Sequence, residues 1–251
     1  MDSLPEKDNA PTALKGAVLL LGSLYWEGEL PEQDGQKGDV RKKWRDARLN
    51  MGTVRNVSNL PICYGRRSAS RGGQFTMVFG GKPVGTAKLA ELRRTAPLGQ
   101  TGLSQAGIEL MKGEVEALAT AEGIWKPSNR KHWANWGLVS IAINPRSPFG
   151  EMIRTMWIAN LSPNPPFENK KFGATVVDRN GILELALPWE GEGMVHLDFC
   201  LTTATMPDAP LPTSQQVATA IRQSSYFDRT AESGIRTADD EDIRRLLGRP
   251  S

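Results

Sequence analysis

The chain has 251 residues, of which 39% are hydrophobic and 24% are charged, and its formal net charge is +3. These proportions are typical of a globular protein with a substantial core and exclude wholesale disorder. So small a charge gives no general attraction for nucleic acid. No apolar run approaches the roughly 20 residues of a membrane span, and the two cysteines form no CxxC pair. We therefore expect a soluble, cytoplasmic protein.

The N-terminal part contains the first candidate strand. Residues 1–14 are polar and carry two prolines, so we expect a flexible arm there. The run Ala17–Leu21 is continuously apolar and ends at Gly22, a pattern typical of a strand that is buried on both faces.

Two polar segments follow this strand. Residues 27–39 are rich in glycine and acidic side chains, which predicts a flexible acidic loop. Residues 41–48 are basic, and we expect their charges to face solvent while Trp44 packs inward.

Glycines then suggest a β-hairpin. The apolar stretches Phe75–Phe79 and Val84–Leu89 flank the pair Gly80-Gly81, which predicts two strands joined at a glycine turn.

The clearest predicted helix runs from Ser104 to about Ala121, with Gly123 as its C-terminal stop. Its apolar stripe consists of Ile108, Met111, Val115 and Leu118. One further step of four along that stripe reaches Glu122, an unusual place for a carboxylate. A buried carboxyl group has a raised pKa, which suits general acid/base chemistry near neutral pH. The alternative is that Glu122 turns into solvent or pairs with Lys126 or Arg130.

The rest of the chain mixes strands and helices without regular alternation. Strands are predicted at Trp136–Ile143, Ala174–Val177, Ile182–Leu187 and Met194–Leu201, and helices at Glu151–Leu161, Thr213–Arg222 and Asp239–Leu247. We expect an α+β fold with a mixed, β-barrel-like core and flanking helices. Residues 15–162 form the predicted core, and residues 163–251 either extend it or form a small subdomain.

Several common kinds of site are missing from the sequence. It has no GxxxxGK[ST] loop, no GxGxxG after a strand and no GxSxG elbow. His132 and His196 are the only histidines, and no metal-ligand spacing surrounds them. We therefore expect neither a metal nor a cofactor.

The end of the first strand is the second candidate site. At Gly22-Ser23-Leu24 a glycine permits close backbone approach, and successive N–H groups can bind an anion or a carbonyl oxygen. The alternative is a simple turn that ends a strand.

Together the two candidates resemble a known family. Leu21-Gly22-Ser23-Leu24-Tyr25-Trp26 after an apolar strand resembles the Tyr-Gly-Ser signature of gamma-glutamylcyclotransferase-like proteins. The segment Leu118–Gly123 looks like the family's segment that carries a catalytic glutamate, and Val84–Ala87 looks like the strand before it. The resemblance covers residues 16–145. Leu21 stands where the family has tyrosine, and residues 150–251 have no counterpart.

The resemblance implies an enzyme that releases 5-oxoproline from a γ-glutamyl amine without metal or cofactor. The substrate's α-amino group would attack its own γ-carbonyl carbon, with Glu122 as general acid/base. Gly22, Ser23 and Leu24 would hold the carboxylate or the oxyanion through their backbone groups, and Tyr25 would add a hydroxyl donor.

A basic cluster supports a different hypothesis. Arg66, Arg67 and Arg71, interspersed with serines and glycines, are a possible anion-binding group for phosphate or nucleic acid, assisted by the basic residues 41–48. Two solvated surface stretches would give the same pattern. Trp125, Trp133 and Trp136 around His132 indicate either a stacking platform or core packing. A third hypothesis is a structural or interaction protein that has kept the fold without the chemistry.

Overall fold

The structure is a computed structural model that describes residues 12–29, 31–68, 72–100, 102–124, 132–163, 176–191, 193–208, 210–222 and 225–249, with the side chains of 31–34 and 133 excepted. The strands are β1 (Ala13–Leu14), β2 (Gly16–Leu20), β3 (Leu49–Ser68), β4 (Gln74–Leu92), β5 (Ala96–Pro97), β6 (Trp133–Ala134), β7 (Gly137–Ile143) and β8 (Phe199–Thr205). The helices are α1 (Ser23–Trp26), α2 (Pro31–Arg48), α3 (Gln105–Glu122), α4 (Gly150–Leu161), α5 (Ser214–Ile221), α6 (Tyr226–Glu232) and α7 (Asp240–Leu246).

The helices and the mixed sheet confirm the α+β class. The main sheet is open, however, so the predicted barrel-like core is wrong. Its strand order is β3-β4-β2-β8-β7-β6, and a separate two-stranded sheet pairs β1 with β5. A barrel requires its two edge strands to pair with each other. Here β3 and β6 lie at opposite edges, and in the described part of the chain no pairing joins them. The predicted arm falls largely outside the described residues, although Ala13–Leu14 forms β1.

Strand β2 is buried on both faces, as its apolar run predicts. Val18 and Leu20 face a core shared with α3 and α4, whereas Ala17 and Leu19 face a second core on the opposite side of the sheet. Successive strand side chains point to opposite faces, so the continuous run supplies both cores.

The C-terminal part of the chain contributes a central strand. β8 lies parallel to β2 on one side and antiparallel to β7 on the other. Adjacent parallel strands need a long crossover connection, and here it spans most of the chain. The strand Phe199–Thr205 therefore belongs to the same sheet as the strands of residues 15–162.

The prediction of a β-hairpin that turns at Gly80-Gly81 is wrong about the position of the turn. β3 and β4 form one long hairpin, and Gly80-Gly81 lies inside β4 rather than at the turn. Pro61 pairs with Pro83 and Ile62 pairs with Phe79, so residues 80–82 bulge from the ladder. Glycine accommodates this irregularity, since Gly81 has a φ of 77°.

The predicted acidic loop is partly wrong, because α2 already begins at Pro31 and is broken at Gly35, where φ is 58°. Trp44 is buried as predicted, at 7% exposure. The expectation that the basic charges of this segment face solvent is wrong for Arg41 and Arg45, which are 3% and 1% exposed.

Helix α3 confirms its prediction at both ends. The Ser104 side chain accepts a hydrogen bond from the Gly107 N–H at 3.0 Å, a typical N-cap. Gly123 ends the helix in the left-handed conformation, with φ 74°. The buried stripe packs on the sheet, which brings Glu122 to the end of the sheet beside α1.

The C-terminal elements differ in detail from their predictions. Residues 174–175 lie outside the described part, and the predicted strand at Ile182–Leu187 is reduced to isolated bridges. The last strand is shifted to Phe199–Thr205, and α6 was not predicted. Within the described ranges, no helix has both the length and the apolar character that crossing a membrane requires.

Replacing Leu118 by alanine should lower the free energy of unfolding by about 2–5 kcal/mol, because the side chain is fully buried between α3 and the sheet. Urea unfolding followed by circular dichroism measures the change. Glu116→Ala, on the exposed side of the same helix, is the matched control and should change stability by at most about 0.5 kcal/mol. Equal losses would contradict the described packing.

Candidate active site

A cavity of about 450 Å³ opens where the C-terminal end of β2 meets α1, α2 and α3. Its volume lies in the range of small-molecule sites, roughly 300–1,000 Å³. The described polar lining consists of Ser23, Lys37, Arg41, Arg66, Ser68, Thr76, Glu122, Thr203 and Thr205, and the larger apolar or aromatic side chains are Leu21, Met77, Trp136 and Tyr226.

The guanidinium of Arg41 joins three elements in the wall of this cavity. Its Nη1 donates to Ser23 Oγ at 2.5 Å and also forms an ion pair with Glu27. Its Nη2 forms an ion pair with Glu122, and its Nε donates to the carbonyl of Ala121 at 3.1 Å. A planar fork of donors suits such simultaneous contacts, which a lysine could not reproduce.

Glu122 is fixed from two sides. One carboxylate oxygen faces Arg41, and the other accepts a hydrogen bond from Thr203 Oγ1 at 3.2 Å. The side chain remains 15% exposed, and Glu122 lines the cavity. Thr203 and Thr205 are two apart on β8 and therefore present their side chains on the same face. The parallel pairing of β8 with β2 thus places a hydroxyl opposite the end of α3.

The turn after β2 brings Ser23 to the cavity. Gly22 has φ 51°, a conformation that favours glycine. The N–H of Leu24 donates to the carbonyl of Leu21 at 3.4 Å, and that of Tyr25 donates to Gly22 at 3.3 Å. These two N–H groups therefore close the turn of α1.

Other residues expected beside Ser23 lie elsewhere. Leu24 is fully buried in the core that contains α3. The ring of Tyr25 lies 5.4 Å from the Lys88 ammonium. Neither belongs to the described lining of the cavity.

The three candidate anion-binding arginines do not form one described cluster. Arg66 lines the cavity with its guanidinium 4.7 Å from the centre of the Trp136 ring, and burial lowers its pKa. Arg67 is the next residue in the strand and therefore points to the opposite face, where it stacks on Phe75 at 5.1 Å. Arg71 lies outside the described residues.

The tryptophans near His132 also have different surroundings. Trp125 lies outside the described residues, and the side chain of Trp133 is not described. Trp136 lines the cavity, and His132 is buried edge-on to Trp157, with ring centres 6.1 Å apart.

Sequence analysis missed Arg41, Thr203 and Tyr226. A signal for Arg41 was present: Arg41, Trp44 and Arg45 have the i, i+3, i+4 spacing of one helical face. Treating the segment as a helix would have placed both arginines beside the buried tryptophan. Thr203 and Tyr226 reach the site through long-range packing, for which the local sequence gives no signal.

Comparisons with protein-family models, with curated proteins and with solved structures give no significant match to this chain. The chemistry must therefore be inferred from the cavity. Three cationic side chains and one carboxylate line its described part, so it suits a small molecule that carries at least one anionic group.

Replacing Arg41 by methionine should lower the free energy of unfolding by about 3–5 kcal/mol, because Glu27 and Glu122 would remain close together without their shared cation. Urea unfolding at pH 7 measures the loss. Lys42→Met removes a surface pair with Asp46 and should cost about 0–1 kcal/mol. Adding Glu27→Gln and Glu122→Gln to Arg41→Met should recover part of the loss, and no recovery would contradict the described network.

The buried side chain of His132 should make the free energy of unfolding fall in acid. Desolvation lowers its pKa to about 4, although a hydrogen bond to the backbone of Leu161 opposes the shift. The unfolded imidazole, with a pKa near 6.5, binds a proton first as the pH falls. The free energy of unfolding should therefore drop between about pH 6.5 and 4, by on the order of 3 kcal/mol. His132→Gln should lose this component in urea titrations, whereas exposed His196→Gln should keep it; equal profiles would contradict the assignment.

Proposed function

We propose that this cavity is the active site of a cofactor-independent acid/base enzyme, and that its reaction is the release of 5-oxoproline from a γ-glutamyl amine. The observation that carries the proposal is that Ser23 and Glu122, far apart in sequence, line one cavity and are held by the same arginine. The observed fold is an open sheet with flanking helices. That this fold is related to the gamma-glutamylcyclotransferase-like fold is part of the proposal.

The surroundings of Glu122 support a proton-transfer role. A carboxylate that is paired with Arg41 and hydrogen-bonded by Thr203 is held in one orientation. Its oxygens together have about four acceptor sites, so sites remain for a substrate ammonium that enters the cavity. A fixed orientation matters because general acid/base catalysis requires hydrogen-bond reach to the transferred proton.

The charges of the cavity support a zwitterionic substrate. A γ-glutamyl amine carries an α-ammonium and an α-carboxylate. Glu122 would pair with the ammonium, while Lys37 and Arg66 line the same cavity and would attract the carboxylate. The small volume excludes a folded protein but admits a dipeptide-sized molecule.

The reaction needs no nucleophile from the protein. Glu122 takes a proton from the α-ammonium, and the neutral amine attacks the γ-carbonyl carbon to form a five-membered ring. The ring nitrogen of the resulting adduct then loses its extra proton to solvent, and the protonated Glu122 donates to the leaving nitrogen as the carbon–nitrogen bond breaks. The products are 5-oxoproline and a free amine, and Glu122 returns to its carboxylate form.

A non-catalytic anion-binding pocket is the second candidate. It is favoured by the excess of cations over carboxylates in the described lining and by the stacking of Arg66 on Trp136. The opposite directions of Arg66 and Arg67 favour a small phosphate- or carboxylate-bearing ligand over the continuous basic face that nucleic acid requires.

Release of 5-oxoproline from a panel of γ-glutamyl amines and γ-glutamyl amino acids tests the proposal. Glu122→Gln should lower kcat by about 10²–10⁴-fold, and Glu116→Gln, exposed on the same helix, should leave it unchanged. Absence of 5-oxoproline with the wild-type protein on every substrate would refute the enzyme. Calorimetric binding of phosphate or glutamate without turnover would then favour the second candidate.

A further inference from the structure

The C-terminal helix α6 is packed directly on the turn that carries Ser23. Trp26, the last residue of α1, donates from its indole Nε1 to Thr230 Oγ1 at 3.2 Å, and both side chains are buried. The guanidinium of Arg229 lies 4.1 Å from the centre of the Trp26 ring. The Trp26 ring also meets Tyr226 edge-on, with centres 5.6 Å apart. These contacts fix the first turn of α6 relative to α1.

They also place the hydroxyl of Tyr226 against Gly22. A Cβ atom added to Gly22 would lie 2.3 Å from that hydroxyl and 3.5 Å from the ring carbon that bears it. A glycine is therefore needed here both for its φ of 51° and for the space that the phenol occupies. Tyr226 is 5% exposed and lines the same cavity as Ser23 and Glu122.

We propose that Tyr226 is a catalytic residue of this site, whose hydroxyl donates a hydrogen bond to the γ-carbonyl oxygen of the substrate as negative charge develops on it. This role rests on the proposed cyclisation. The phenolic proton stays on the tyrosine, so the step changes no bond in the protein. A fixed donor that points at the developing charge stabilises an oxyanion more than solvent does, because it need not reorient.

The donors on the turn and on Arg41 hold the local structure together. The Arg41 guanidinium is shared among Ser23, Glu27 and Glu122. The N–H groups of Leu24 and Tyr25 close the α1 turn. Tyr226 brings a hydroxyl to the same cavity from another element, which would give residues beyond 163 a direct part in the chemistry.

Tyr226→Phe tests the role because it removes one oxygen and keeps the ring against Trp26. We expect kcat for 5-oxoproline release to fall by about 10²-fold with KM changed only a few-fold, the signature of an interaction made in the transition state. Tyr64→Phe is the matched control: its hydroxyl is buried in the same apolar cluster as Tyr226 but outside the described cavity lining, and it has no hydrogen-bond partner in the described part. That variant should keep its kcat within about twofold, since its hydroxyl does not reach the cavity.

A second pair of variants tests the placement through stability alone. Gly22→Ala should cost less in the Tyr226→Phe background than in the wild type, because the nearest atom to the new methyl group is then a ring carbon at 3.5 Å. The strain of a positive φ is common to both backgrounds and cancels in the double-mutant cycle. Gly22→Ala alone should also lower kcat, because it displaces the hydroxyl.

The outcomes separate the two proposals. A wild-type protein that forms no 5-oxoproline overturns the cyclisation and, with it, this role of Tyr226. An active wild type whose Tyr226→Phe variant matches Tyr64→Phe overturns the role of Tyr226 alone. Equal costs of Gly22→Ala in both backgrounds overturn the placement of the hydroxyl.

Discussion

The buried guanidinium of Arg41 is the interaction on which the site depends. It joins the turn after β2, through Ser23 and Glu27, to the end of α3, through Glu122 and the carbonyl of Ala121. A buried charge of this kind is tolerated only when its partners are complete. The three elements are thus bound to one another at the point where the cavity opens.

The rest of α2 repeats the pattern on a smaller scale. Arg45 reaches the carbonyl of Leu24 at 2.8 Å and the carboxylate of Glu29 at 2.7 Å, and Arg48 pairs with Glu114 at 3.0 Å. Arginines at i, i+4 and i+7 lie along one helical face. That face therefore makes a series of cationic contacts that hold α1 and α3, and Trp44 packs in the core that also contains Leu24 and Leu118. The ion pairs of these arginines and the burial of Trp44 together hold α2 in place.

The order of strands in the sheet determines which side chains face the contacts of Arg41. Because β8 inserts beside β2 from the C-terminal part of the chain, Thr203 reaches Glu122 and hydrogen-bonds it in the wall of the cavity. The helices that follow β8 return to the same place, where α6 packs against Trp26. A segment without an evident role in the sequence thereby supplies one wall of the candidate site.

Local patterns predicted the parts of this arrangement that have local causes. The apolar run of β2, the cap at Ser104, the stop at Gly123 and the stripe that leads to Glu122 follow from short-range preferences, and the structure confirms them. The Gly80-Gly81 pair was misassigned because a glycine pair serves a bulge as well as a turn. The contact from Trp26 to Thr230 spans 204 residues, and no short-range rule predicts such a pairing. Arg41 was missed for a different reason: basic side chains are usually solvated, although helical spacing places Arg41 on the same face as the buried Trp44.

The central claim is that Ser23, Glu122 and the cavity between them form one small-molecule site. A crystal structure of the protein with 5-oxoproline, the product of the proposed reaction, tests it most directly. The account predicts the lactam in the cavity, with its ring nitrogen facing Glu122 and its lactam oxygen facing Tyr226. Binding of the lactam at another surface, or a structure in which Arg41 does not join Ser23 to Glu122, would contradict it.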